Sequence, residues 1–261
     1  MKNKKADVAG LFYPAEPKEL KALIETFINN AKKANHLTRA VIAPHAGYIY
    51  SGPIAGFAYR ALYSSKDSIK NVIIMSPSHN CSFDGVATHS AEIFSTPLGQ
   101  LEVNAELKTQ ISSLPFVKEL DEVFIREHAL EVHLPFIQHT LPQAKILPLV
   151  VGHSYPEEIQ MLIETLWNDP SNAFVISSDL SHFLSYVPAQ KMDSLTAKQF
   201  ERMLYQELHH DQCCGFFPVR GMLKFAKEHG LKITTLDLRN SADTAGDKGR
   251  VVGYGSFMIH N

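Results

Sequence analysis

Five residues in this chain have the types and placement for metal or acid–base chemistry: His45, His79, Asp179, His182 and Cys214. Four of them share one device, in which a short apolar run ends in a polar turn that carries a histidine. AVIAPH ends at His45, IIMSPSH at His79, and VISSDLSH contains Asp179 and ends at His182. In open α/β sheets, ligand sites lie in the crevice beyond the carboxyl ends of the strands. Three strand ends that each deliver a histidine therefore read as one site. Neutral imidazole is the commonest metal ligand, so His45 and His79 supply two donors, and a third must come from Asp179, His182 or Cys214. Two His and a carboxylate with open positions is the ligand set of non-haem Fe(II) oxygenases, whereas two His and a Cys suit Zn, Cu or thiolate-bound Fe. Asp179 lies three residues before His182, a spacing that lets a turn join carboxylate to imidazole. Such a pair raises the His pKa and suits a general acid/base. Cys214 precedes Gly215 at an expected helix start, where a thiol pKa can be lowered.

A second polar cluster, EHALEVH, spans residues 127–133. His128 and His133 are five apart, which puts them on different faces of a continuous helix. The segment is not HExxH and misses HxxEH by one residue, so no helix-borne zinc pair is expected. These side chains read as hydrogen-bonding groups where the helix enters the core, with one able to orient a ligand histidine. Serines 76, 78, 177, 178 and 181 lie near strand ends, but no GxSxG elbow accompanies them.

The elements that must position these residues follow from hydrophobic periodicity. Strands are predicted over 38–43, 71–76, 85–89, 92–95, 145–151, 173–178, 232–238 and 250–259; Pro148 marks a bulge or an edge in its strand. Helices are predicted over 18–33, from a Ser51 cap to Leu62, and over 105–113, 130–141, 156–167, 188–208 and 219–228. Residues 240–248 read as a surface loop or flap. Alternating strands and helices predict an α/β protein, a three-layer α/β/α single domain over residues 1–261. Its central sheet is mixed but mostly parallel. The strands bearing His45 and His79 are expected to be neighbours.

Composition narrows the function classes. Apolar residues make up 45% of the 261 and the formal net charge is -2, which gives no reason to expect a nucleic-acid or anionic-membrane partner. Three cysteines, Cys81 and the adjacent Cys213 and Cys214, form no disulfide framework, so a reduced cytoplasmic protein is expected. No run approaches the ~20 apolar residues of a membrane helix, and the basic N-terminus lacks the apolar core of a signal peptide.

The motifs GLFYPAEP, APHAGYIYSGPIAGFAY, SPSHN, FSTPLG, EHALEVHLPF, LPLVVG, SSDLSHF and GYGSF run in an order that resembles the Memo family, whose bacterial and archaeal members are called AmmeMemoRadiSam system protein B. That family is similar to the LigB-type class III extradiol dioxygenases, non-haem iron enzymes of α/β/α architecture. The resemblance implies that His45 and His79 match the two iron-ligand histidines and His182 the acid/base histidine. It also implies that Cys214 of CCGFFP stands where the dioxygenases carry their carboxylate ligand. The family motif at that turn commonly reads CGRHP, and this chain lacks its Arg and His. Two functions follow as expectations. One is a metal-binding or redox protein holding iron or copper, zinc less so, on His45, His79 and Cys214, with ring cleavage absent and no organic cofactor. The other is an active iron-dependent oxidoreductase acting on a small aromatic. A zinc hydrolase is a weaker third. A small molecule or a peptide is the ligand expected in the cleft.

Overall fold

The computed structural model describes residues 2–261. In chain order the elements are β1 (Asn3–Lys4), α1 (Pro17–Asn30), β2 (Ala40–Ala43), α2 (Tyr48–Tyr63), β3 (Asn71–Pro77), β4 (Val86–Thr88), β5 (Ile93–Thr96), β6 (Gly99–Glu102), α3 (Ala105–Ile111), β7 (Val117–Glu119), α4 (His128–Glu131), α5 (His133–Thr140), β8 (Lys145–Val151), α6 (Pro156–Trp167), β9 (Asn172–Ser177), β10 (His182–Leu184), α7 (Tyr186–Glu201), α8 (Phe216–Glu228), β11 (Lys232–Asn240) and β12 (Val251–His260). Four parallel strands, in the order β2, β9, β3, β8, form the middle of a nine-stranded sheet. Antiparallel β12, which pairs in turn with both β11 and β10, extends it beyond β2, and β4 and β7 extend it beyond β8. A separate three-stranded sheet joins β1, β5 and β6.

The near-continuous apolar runs of the central strands are what a sheet covered on both faces requires. Alternate residues go to opposite cores. Val41, Val72, Ile74 and Val175 pack with α1, α2 and α5, while Ile42, Ile73, Met75 and Ile176 pack with α6, α7 and α8. This is the mixed α/β/α fold expected from the sequence. No helix is long and apolar enough to cross a membrane.

Several boundaries differ from expectation, each for a local reason. β9 lies between β2 and β3, so the strands bearing His45 and His79 are not neighbours; all six β9 residues are buried, and Phe174, Val175 and Ile176 pair on both sides. α2 starts at Tyr48 after Gly47, not at a Ser51 cap, because Tyr48 N donates to Phe12 O at 2.8 Å and fastens the helix to the N-terminal aromatic loop. α7 stops at Glu201, where Met203 turns left-handed at φ 53°. α8 starts at Phe216, three residues early. The residue that caps it must be glycine: a Cβ on Gly215 would lie 2.4 Å from Ser177 O. That close approach presses Cys214 against the end of β9. Pro148 runs in unbroken register with β3 and has no β4 partner, since β4 pairs only Val150 and Val151; it is an edge position without a bulge. The loop from 240 carries a 3-10 turn, Ser241–Asp243, capped by Asn240.

Candidate metal centre

His45 follows β2 directly and is 2% exposed. Its backbone N donates to Asp179 Oδ1 at 2.7 Å, and Ala46 N donates to the same carboxyl. Asp179 therefore fixes the His45 turn and does not make the expected bond to His182. The geometry explains the difference. The turn after β9 aims the carboxyl back at β2, while Ser181 N is held by Asp193 Oδ1 at 3.0 Å and carries His182 onto β10. His182 Nδ1 meets Leu180 O at 2.8 Å instead. Burial pushes the Asp179 carboxyl up to about 7, against the pull of the two backbone donors.

The Nδ1 side of His45 contacts Ser177 Oγ at 2.6 Å, and its Nε2 lies 3.2 Å from Cys214 Sγ. Burial holds His45 well below its ordinary pKa, and the nearby His79, His128, His133 and His182 push in the same direction. It is a neutral imidazole at physiological pH.

His79, past the end of β3, is built differently. Its side chain is 30% exposed, and buried Glu127 grips it twice: Nδ1 donates to Oε1 at 2.9 Å and the backbone N to Oε2 at 2.6 Å. A carboxylate only accepts, so the ring proton sits on Nδ1 and Nε2 keeps its lone pair. Burial draws the His79 pKa down, but the bond to Glu127 and its charge outweigh that and leave it above the ordinary value. Glu127 is held below the usual carboxylate range, its burial outweighed by His79.

Glu127 also caps α4, accepting from Ala129 N at 3.0 Å. The first residue of that short helix is His128. Its ring stacks on His79 with centroids 4.7 Å apart and on Phe12 at 4.4 Å, and stands edge-on to His45 at 5.6 Å. His45 and His79 are 5.2 Å apart. Each of the three rings offers a nitrogen within 4.8 Å of the others. Burial and the charge of His79 lower His128 to about 4.

His128 was not among the site residues expected from the sequence. The expectation treated EHALEVH as part of one helix, but the helix breaks at Val132 into α4 and α5, so an i, i+5 separation says nothing about faces there. A Glu N-cap placed directly before a His was the available signal. Glu127 is the partner that orients the His79 ring. His133 lies deeper, with Nε2 2.9 Å from Ser177 Oγ and Nδ1 2.8 Å from Tyr59 OH. Glu131 anchors the N-terminal loop by accepting from Tyr13 OH and from the backbone of Asp7 and Val8.

Cys214 touches His45, and Asp179 N donates to its sulfur at 3.2 Å. A metal held tetrahedrally by one imidazole and one thiolate, with bonds of ~2.1 and ~2.3 Å, sets N and S roughly 3.6 Å apart. The 3.2 Å contact is a few tenths of an ångström short of that, and Cys214 is not among the donors that converge within 4.8 Å of one another. The expected lowering of its pKa does not occur: burial and the neighbouring Asp179 charge push the thiol well up and outweigh the hydrogen bonds with Asp179 N and Ser178. All three cysteines are free. A cavity of about 280 Å³ opens beside the cluster, lined by His79, Cys81, His153, Cys214 and Phe217. The nearest carboxyls, Glu127 and Asp179, are spent on His79 and on backbone N–H groups. The donors left facing the cleft are imidazole and sulfur, which fit copper, zinc or iron better than a hard oxygen-preferring ion.

The family model for Memo-like protein matches residues 4–258. The chain belongs to the Memo-like family. Its similarity to curated members runs from end to end. It is 31% identical to the MEMO1 family protein of Aquifex aeolicus over 97% of this chain and 98% of that one. It is 32% identical to the Sulfolobus acidocaldarius member and 33% to that of Metallosphaera sedula, each over 95% of both chains. This Memo-like chain thus sets its three convergent imidazoles within a segment that the family shares.

Proposed function

We propose that this Memo-like protein binds one iron or copper ion through His45 and His79, with Cys214 reaching the ion beside His45 and His128 facing it from α4. On this reading it is a metal-binding or redox protein without ring-cleaving activity. The observation that carries the reading is the donor set. Three imidazoles converge, two of them with Nδ1 already bonded inside the protein, and no carboxyl is free to complete the 2-His-1-carboxylate triad of Fe(II) oxygenases. A bound copper or iron ion would supply one-electron chemistry. The protein's own residues orient the rings, keep His45 and His128 neutral and enclose the thiol. The adjoining cavity suits a small molecule or one side chain of a peptide.

A second reading, an iron-dependent oxidoreductase acting on a small aromatic, is favoured by one observation. His182 lies near enough to His45 and His79 to interact electrostatically with both, where it could move a proton. Metal analysis of untagged protein, affinity titrations with Cu(I), Fe(II) and Zn(II), and O2 uptake with catechols separate the two. Stoichiometric metal without catechol-dependent O2 uptake supports the first reading; ring cleavage replaces it with the second.

A further inference from the structure

We propose that Ser177, its proton held by Ala129 O, is a positioning residue that fixes His45 in the tautomer with its proton on Nδ1 and its lone pair on Nε2, and that the same hydroxyl holds His133 in the opposite tautomer, which Tyr59 matches. Ser177 ends β9, the strand inserted between those that deliver His45 and His79, and it is fully buried. Its hydroxyl makes three close contacts: Ala129 O at 2.7 Å, His45 Nδ1 at 2.6 Å and His133 Nε2 at 2.9 Å.

A hydroxyl has one proton to give and two lone pairs to receive. A carbonyl oxygen has no proton. At 2.7 Å the contact to Ala129 O must hold the serine proton, since two bare oxygens at that distance repel. The other two contacts must then be N–H donors to Oγ. This places a proton on Nδ1 of His45 and one on Nε2 of His133.

Two neighbours agree with that assignment independently. With its proton on Nε2, a neutral His133 has a lone pair on Nδ1, where Tyr59 OH stands at 2.8 Å and can donate. Both groups are fully enclosed, and burial lowers His133 to about 3, so the ring carries a single proton. On the other side, His45 Nε2 is left with its lone pair toward Cys214 Sγ, 3.2 Å away. The order Tyr59, His133, Ser177, His45 is thus one chain of donors and acceptors with a single self-consistent proton arrangement. The same hydroxyl ties β9 to Ala129, next to His128 on α4, so it also sets where that imidazole stands.

The tautomer follows from these contacts alone; its consequence for metal uptake rests on the reading of His45 as a ligand. The test is long-range 1H–15N correlation spectroscopy of the histidine rings in metal-free protein, combined with Cu(I) competition titrations. The parent should show a protonated Nδ1 and a bare Nε2 on His45, and the reverse on His133. Ser177→Ala should move His45 to a mixture with Nε2–H and lower Cu(I) affinity by roughly 10–100-fold, the usual cost of losing a group that orients a ligand. Tyr59→Phe should leave His45 in its tautomer, because the Ala129 contact still holds the serine proton, with a smaller loss of affinity. A parent His45 protonated on Nε2 overturns the proposal, as does a Ser177→Ala protein with an unchanged His45 tautomer. If Ser177→Ala does not fold, the parent spectrum and Tyr59→Phe decide: a His45 that changes tautomer in Tyr59→Phe contradicts the assignment of the serine proton to Ala129 O. A parent that binds no metal while Ser177→Ala still shifts the tautomer defeats the metal reading and leaves this one standing.

Discussion

His45 and His79 come from the same device, an apolar strand ending in a Pro-bearing turn, yet the protein treats them oppositely. His45 is enclosed and leans on a neutral hydroxyl; His79 is partly open and leans on a carboxylate. The difference teaches how one site can divide its labour. Burial favours the neutral form of the first ring. The carboxylate makes the second ring more basic, which strengthens it as a donor and also makes it the ring that competes for protons.

The contrast can be broken most severely at its buried end. His45→Ala should abolish measurable binding of Cu(I) and Fe(II), a loss beyond ~100-fold, since it removes a ligand outright. It should also destabilise the fold by about 2 kcal/mol or more, because Ser177 loses a donor in a dry core; chemical denaturation of the metal-free protein measures that part. His79→Ala should weaken metal binding severely but cost less stability, as its ring is partly solvated.

Next in size is the support of His79. Glu127→Gln keeps the shape but removes the charge, and should lower metal affinity by roughly 10–100-fold in competition titrations. It should also move the pH dependence. His79 has its folded pKa above the ordinary 6.5 because Glu127 outweighs its burial. Metal affinity should therefore fall as pH drops through that raised value, where protons compete for the ring. His45, held well below 6.5, should add nothing in that window. The metal-free stability runs the other way. A raised His pKa gives stabilisation that is complete below 6.5 and lost as pH rises through the folded value. In Glu127→Gln both midpoints should move to lower pH; an unchanged affinity profile would show that His79 is not the titrating ligand.

The smallest effects separate ligand from neighbour. Cys214→Ser should weaken Cu(I) binding, since thiolate is the softer donor, while Cys213→Ser and Cys81→Ser leave it near the parent value. Equal affinities in all three would leave His128 as the third donor. Asp179→Ala should lower thermal stability, because it leaves the backbone N–H groups of His45 and Ala46 without their acceptor, and change metal affinity by only a few-fold. A selective collapse of affinity with unchanged stability would reverse that assignment.

Much of this was legible in the chain. Continuous apolar runs alternating with amphipathic helices indicate a covered parallel sheet, and turns after strands place His45, His79 and His182 at one rim. What was not legible lay in tertiary order. Nothing local says that β9 slides between β2 and β3, and that insertion is what sets Ser177 against His45. Nearness in sequence suggested that Asp179 would hold His182, yet parallel pairing brings the His45 turn closer to the carboxyl. His128 was hidden because helical spacing was applied across a break at Val132. The direction of the Cys214 pKa depended on how deeply Gly215 lets that turn press onto β9, a distance that residue identity does not encode.

The most direct test of a metal centre built on His45 and His79 is the X-ray absorption spectrum of protein loaded with one equivalent of Cu(I). It should show at least two imidazole nitrogens at ~2.0 Å, joined by one sulfur at ~2.3 Å if Cys214 ligates, and His45→Ala should lose the bound ion. Failure of the parent to retain one equivalent, or a first shell of oxygen that His45→Ala leaves unchanged, would contradict the account.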